Sequence, residues 1–146
     1  MLTMAVSLAL QAVPVAPVAA APPPPAPATW REMPLNAGSW SWRAIPGGSE
    51  AIFLDGRGAQ FTVSCTLATR RISLIRPSTV PAAQLRVTTT SSERVLPPGN
   101  TVLATDPLLD ALAFSRGRVA ITAAGAAPLV IPAWPEAARS IEDCRS

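Results

Sequence analysis

Residues 51–67 read AIFLDGRGAQFTVSCTL, and the second half of this stretch alternates strictly. Ala59, Phe61, Val63, Cys65 and Leu67 fall on one side of an extended chain, and Gln60, Thr62, Ser64 and Thr66 fall on the other. Successive side chains of a strand point to opposite faces, so the pattern predicts an antiparallel strand with one face in a core and one toward water. AIFLD reads as its partner, and Gly56, Arg57 and Gly58 after Asp55 supply the short glycine-bearing link of a hairpin.

The same period recurs on both sides of this hairpin. In SWSWR, Trp40 and Trp42 turn inward while Ser39, Ser41 and Arg43 turn outward. Leu85, Val87 and Thr89 alternate with Arg86, Thr88 and Thr90, and Val119 and Ile121 alternate with Arg118, Ala120 and Thr122. RRISLI and PLVIP are shorter candidates. About seven strands at close spacing predict a mainly β fold, a small antiparallel sandwich or barrel.

Two helices interrupt the alternation. The first is predicted near 107–116: Asp106 suits the N-cap, Pro107 the first helical position, Gly117 the stop, and Asp110 and Arg116 suit the two ends of the helix dipole. The second is predicted near 135–144, with Trp134, Ala137, Ala138, Ile141 and Cys144 on one side and Glu136, Arg139, Ser140 and Asp143 on the other. Ten residues are too few for a stable isolated helix, so its apolar side must pack on the sheet.

Strand parity turns Cys65 inward and helical parity turns Cys144 inward, which places the only two cysteines at one interface. In an exported chain the expected outcome is a disulfide. Closing a loop of roughly 80 residues contributes up to about 4.5 kcal/mol in the chain-entropy treatment. Neither CxxC spacing nor a thioredoxin-like βαβ pattern points to a redox pair.

Export is expected from the opening residues. An apolar run from Leu2 to Val13 followed by small residues reads as a signal peptide over 1–20, cleaved after Ala20 or after Ala28. Pro14 and Pro17 interrupt the run before it reaches the length of a membrane-spanning helix, so no transmembrane span is expected in the mature form. Residues 21–34, rich in proline, are expected to form a disordered, unpacked spacer ahead of a single β-rich domain at 35–146. The expected address is periplasmic or secreted.

The chain's 146 residues include twelve arginines and no lysine, histidine or tyrosine, and the formal net charge is +3. The absence of histidine excludes Ser-His-Asp and Cys-His catalysis, and the absence of lysine excludes Ser-Lys and Schiff-base chemistry. There is no Walker loop or GxGxxG, no metal site beyond carboxylates and two committed cysteines, and no implied cofactor. The arginines are spread along the sequence rather than gathered, so nucleic acid is not an expected partner. Only carboxylates could catalyse: Asp55, Asp106, Asp110, Glu142 and Asp143. Arg116 and Arg118 flank Gly117 and form a candidate anion-binding pair, although each also has a structural explanation at a helix end or an outward strand position. Of Trp30, Trp40, Trp42 and Trp134, at least three are expected in the core rather than on an aromatic binding platform.

The segments AFSRGR and LVIPAWPEAARSIEDCR resemble the C-terminal part of small uncharacterised secreted proteins of alphaproteobacteria. The resemblance covers 109–146 best; it implies an exported envelope protein and assigns no functional residue. A remoter similarity, to secreted β-sandwich proteins of the invasion-associated locus B type, has no motif behind it. The expected function is therefore an exported, non-catalytic binding or envelope-associated module stabilised by one disulfide. The alternatives are a carboxylate-dependent hydrolase and a purely structural protein-partner module.

Overall fold

The computed structural model describes residues 21–146, so the leader at 1–20 lies outside the described residues. In chain order the strands are β1 (Ser39–Ile45), β2 (Gly48–Asp55), β3 (Gly58–Thr66), β4 (Arg71–Ile75), β5 (Leu85–Thr88), β6 (Glu93–Val95), β7 (Thr101–Leu103), β8 (Arg118–Ala123) and β9 (Leu129–Pro132). The two helices are α1 (Pro107–Ala113) and α2 (Pro135–Arg145). One antiparallel sheet has the order β1-β2-β3-β4-β7 and the other β6-β5-β8-β9. Neither sheet closes on itself, which selects the sandwich over the barrel.

The β2–β3 hairpin lies at the middle of the five-stranded sheet, with Asp55 opposite Gly58. Phe53, Phe61, Val63, Ile72 and Leu74 from this sheet share one interior with Leu85, Val87, Ile121 and Ile131 from the other. Trp40 ties the sheets together: its indole N–H donates to the Pro132 carbonyl at 2.8 Å, and its ring meets Phe53 edge-on at 5.7 Å. Burial of such side chains contributes about 1.5–3 kcal/mol each, so this interior is the main source of stability.

The strict alternation along β3 is broken at one point. The register shifts between Phe53 and Leu54, so that Phe61 opposes Phe53 while Ala59 opposes Leu54 and Gln60 has no opposite residue. This bulge reverses parity on its far side. Gln60 is consequently buried and Ala59 exposed, the reverse of the sequence expectation. Thr62 is buried as well, and Leu67 lies beyond the strand end and is exposed. Gln60 remains satisfied because its amide donates to Asp55 at 3.0 Å and its oxygen accepts from Arg76 at 2.9 Å.

α1 begins as the sequence predicts, with the Asp106 side chain accepting from the Leu108 N–H and Pro107 in the first turn. It ends earlier, at Ala113 with Phe114 as its cap, so Arg116 lies outside the helix. The chain leaves because Ser115 is drawn elsewhere, accepting from the Thr90 N–H at 3.1 Å and donating to the Arg118 carbonyl at 2.6 Å.

α2 lies across β1, β2 and β3 with Ala137, Ile141 and Cys144 buried, as helical parity predicts. Two positions differ. Ser140 is fully buried and faces Ser49, whereas Trp134 precedes the helix as its N-cap and is 45% exposed. Trp134 adopts extended backbone, so helical spacing does not apply to it. With Trp134 exposed and Trp42 half-buried, only Trp30 and Trp40 of the four tryptophans are buried. Trp42 lies under the Arg139 guanidinium, 3.4 Å from its ring centroid, and donates to Asp143 at 3.1 Å.

Cys65 and Cys144 form the expected disulfide, with Cα atoms 5.5 Å apart and a sequence separation of 79. Both are essentially inaccessible. The tail is also held by polar contacts: Arg70 donates to the carbonyls of Cys144 and Ser146, and Arg145 donates to the Ala104 carbonyl at 2.8 Å.

Residues 21–34 do not behave as an unpacked spacer. Arg86 donates to the Pro23 carbonyl, Thr122 to the Pro24 carbonyl and Arg118 to the Met33 carbonyl. Trp30 is 4% exposed and packs with Ala120 and Val130 on the outer face of the four-stranded sheet. Asn36 then pairs with Val130 through its backbone N–H and side-chain oxygen. Proline carbonyls accept hydrogen bonds normally, and a chain that lacks N–H donors can lie across a sheet without leaving donors buried. Thr88, Ala120, Thr122 and Val130, on the outer face, are buried for this reason.

Candidate functional site

The candidate carboxylates are dispersed, and each already has a partner. Asp55 accepts from the Arg57 guanidinium at 2.9 Å in the β2–β3 turn, and this contact holds its carboxyl below the usual range. Asp106 receives a two-pronged guanidinium from Arg94, 2.8 Å to each oxygen, and also caps α1. Asp110 and Glu142 both bind Arg145, and Asp143 accepts from Trp42. General acid catalysis needs a carboxyl raised toward neutrality, whereas Asp55 and Asp106 move the other way.

Asp106 yields a test of this wiring. The Arg94 hydrogen bonds, followed by the Leu108 N–H, hold its folded carboxyl below the ordinary carboxylate range. A depressed carboxyl contributes stability that is complete above its unfolded value, about pH 4, and is lost as the pH falls through the folded value. Asparagine caps a helix as well as aspartate does, so Asp106→Asn removes the charge and keeps the cap. Urea unfolding is expected to show Asp106→Asn less stable than wild type by about 1 kcal/mol at pH 7, with the gap closing as the pH falls below about 4. Asp106→Ala, which also loses the cap, is expected to cost about 1 kcal/mol more.

Among the described residues no group of three or more His, Cys, Asp or Glu is placed to hold a metal ion.

A different cluster lies at the end of the four-stranded sheet where β8 begins. Antiparallel pairing brings Thr88, Glu93, Arg118 and Pro132 to this end. The turn at 89–92 is rigid: the Thr89 hydroxyl donates to the Ser92 carbonyl and accepts from the N–H groups of Ser91 and Ser92. The loop at 114–117 is attached on one side, where the Arg116 N–H donates to the Thr90 hydroxyl at 3.1 Å, and on the other, where the Ala133 N–H donates to the Gly117 carbonyl at 3.3 Å. Gly117 has φ of +76°, a conformation that glycine adopts without strain, and it is the pivot of this loop. The Trp30–Arg31 turn of the N-terminal segment closes the third side, forming a cleft with residues 88–93.

Seven of the twelve arginines have no side-chain carboxylate within ion-pairing distance among the described residues, and three of these seven lie at this end. Arg43, Arg57, Arg86, Arg94 and Arg145 each have a carboxylate partner. Among the described residues Arg31, Arg116 and Arg118 have none within ion-pairing distance. Arg118 is occupied by the Met33 carbonyl and positions the strap. Arg31 lies over the Trp30 ring, 4.7 Å from its centroid, and Arg116 is exposed. The predicted pair of Arg116 and Arg118 is thus divided: Arg118 holds the Met33 carbonyl, Arg116 is attached to the Thr90 turn through its backbone, and the arginine that lines the cleft there is Arg31.

Sequence reading alone missed Trp30, Arg31 and Thr90 as members of one site. The only local signal is the run TTTSSE at 88–93, which supplies five hydroxyls in succession. Compared with protein-family models, with curated proteins and with solved structures, the chain matches none.

Proposed function

We propose that the protein is an exported, non-catalytic binding module that takes an anionic ligand at this loop end. The observation that supports it best is the cleft between Arg31 and the hydroxyl-rich turn at 88–92, with Glu93 at its edge bonded to Arg86, and with the Arg116 backbone attached to that turn at Thr90; neither Arg31 nor Arg116 is paired with a carboxylate among the described residues. Guanidinium groups and hydroxyls together are the donors that bind phosphate or carboxylate oxygens. The turn and loop are already fixed by hydrogen bonds, so little ordering opposes binding. The disulfide supports an oxidising compartment, periplasmic or secreted. The paired state of Asp55, Asp106, Asp110, Glu142 and Asp143 speaks against the hydrolase reading.

Titration of isotopically labelled protein with inorganic phosphate and with galacturonate tests this. Amide shifts are expected at Arg31, Thr90, Ser91 and Arg116, and Arg31→Ala together with Arg116→Ala is expected to weaken binding at least tenfold, since each charge-assisted bond is worth about 1.5–3 kcal/mol. Shifts centred on Asp55 or Asp106, or binding indifferent to both arginines, overturn the reading.

A further inference from the structure

The same end of the molecule carries the two aromatic side chains that the fold leaves in solvent. Phe114 is 79% exposed, more than any other large apolar residue described, and Trp134 is 45% exposed. They belong to adjoining segments: Phe114 opens the loop whose Gly117 carbonyl accepts from Ala133, the residue before Trp134. Ser115 bonds this loop to the Thr90 turn, and Arg116 follows directly. An exposed Phe, an exposed Trp and Arg116, which has no carboxylate partner among the described residues, therefore occur on one set of hydrogen-bonded loops, with Arg31 at the cleft beside them.

We propose that this end docks peripherally on a lipid surface rich in anionic headgroups, with Phe114 and Trp134 entering the interfacial layer and Arg116 and Arg31 meeting the phosphates. The proposal rests on the reading of the loop end as an anion-binding face and names its partner. Three features favour a bilayer over a small dissolved anion. Aromatic side chains with one polar neighbour partition to the headgroup level, and Trp is enriched there. Each arginine near an anionic surface adds about 1 kcal/mol of attraction. A small ligand seated between Arg31 and Thr90 gives no role to Phe114, whereas a surface contacts the protruding loop first. The described helices include none long and apolar enough to cross a membrane, so the contact is made by loops.

The test is co-sedimentation of the full chain, with its disulfide formed, with phosphatidylcholine vesicles and with 3:1 phosphatidylcholine to phosphatidylglycerol vesicles (about 1 kcal/mol per charge sets the expected scale). The quantity read is the gain on adding the anionic lipid, so any contribution of the apolar leader, common to all variants, cancels. Arg116→Ser is expected to reduce this gain about fivefold, the equivalent of one lost surface charge. Phe114→Ser is expected to reduce binding to the anionic vesicles several-fold while leaving phosphate binding unchanged. Both side chains are exposed, so the fold is expected to survive either change, and circular dichroism of each variant checks this. If Phe114→Ser has no effect, and phosphate alone binds with the same dependence on Arg31 and Arg116, the ligand is a dissolved anion: docking is refuted and the anion site stands. If neither vesicles nor phosphate respond to the arginines, both readings fail.

Discussion

With Cys65 and Cys144 both replaced by alanine, the unfolding free energy is expected to fall by about 2–5 kcal/mol, most of the way toward the instability of a small domain without its crosslink. The size follows from the loop. With a sequence separation of 79 between the two cysteines, the chain-entropy treatment gives about 4.5 kcal/mol for the closed loop. α2 packs across β1, β2 and β3 but has only eleven residues and no side-chain cap. Its buried side consists of Ala137, Ser140, Ile141 and Cys144, of which only Ile141 is large. The remaining anchors are polar and partly exposed, such as Arg70 on the terminal carbonyls and Arg145 with Asp110 and Glu142. Surface ion pairs of this kind contribute about 0–1 kcal/mol each. Amide hydrogen exchange in the double variant should therefore show α2 opening ahead of β2 and β3. Equal stability of wild type and variant in urea, or two thiols that alkylate in natively purified protein without reductant, would remove the clasp from the account.

Trp30→Ala is expected to be about as damaging, at about 3–5 kcal/mol. The residue lies in the segment that composition assigns to a spacer, yet it is the largest side chain on the outer face of the four-stranded sheet, packed with Ala120 and Val130 and flanked by Ala26 and Met33. Its removal leaves the outer face of β8 and β9 covered only by proline-rich chain and a few hydrogen bonds. Trp134→Ala supplies the contrast. That side chain is 45% exposed, and its loss should cost less than about 1 kcal/mol. Chemical denaturation of the two variants side by side distinguishes a packed strap from a free one. If Trp134→Ala proves the more costly, the strap is not part of the fold's stability. Loss of Trp30 is also expected to weaken phosphate binding, because Arg31 is held over its ring.

The hairpin at 51–67 was legible because its turn residues and its alternation agree, and the same holds for Trp40, Val87 and Ile121 on their inward faces. The disulfide was legible because two separate periodicities point both sulfurs inward. Three errors arise where a local period ends or breaks sooner than the sequence pattern does. Gln60 is drawn into a bulge where Asp55 and Arg76 satisfy it. Arg116 is taken off α1 by the attachment of Ser115 to Thr90. Trp134 reads as helical only if the spacing is carried one residue beyond the true start of α2. The candidate site was half legible: Arg116 and Arg118 stand out around Gly117, but their division of labour depends on Met33, more than eighty residues away in sequence.

What this sequence determined by itself is the class of fold, the inward faces of its strands and helices and the pairing of its cysteines, since each is set by the period of side chains along a short piece of chain. What only the tertiary structure decided is the company those pieces keep: that the proline-rich segment covers a sheet, that Trp30 is inside and Trp134 outside, and that Arg31 and Arg116 share one turn. Periodicity records which way a residue faces, but it carries no information about which distant segment arrives to cover it, and that depends on how the completed sheets expose or hide their remaining surface.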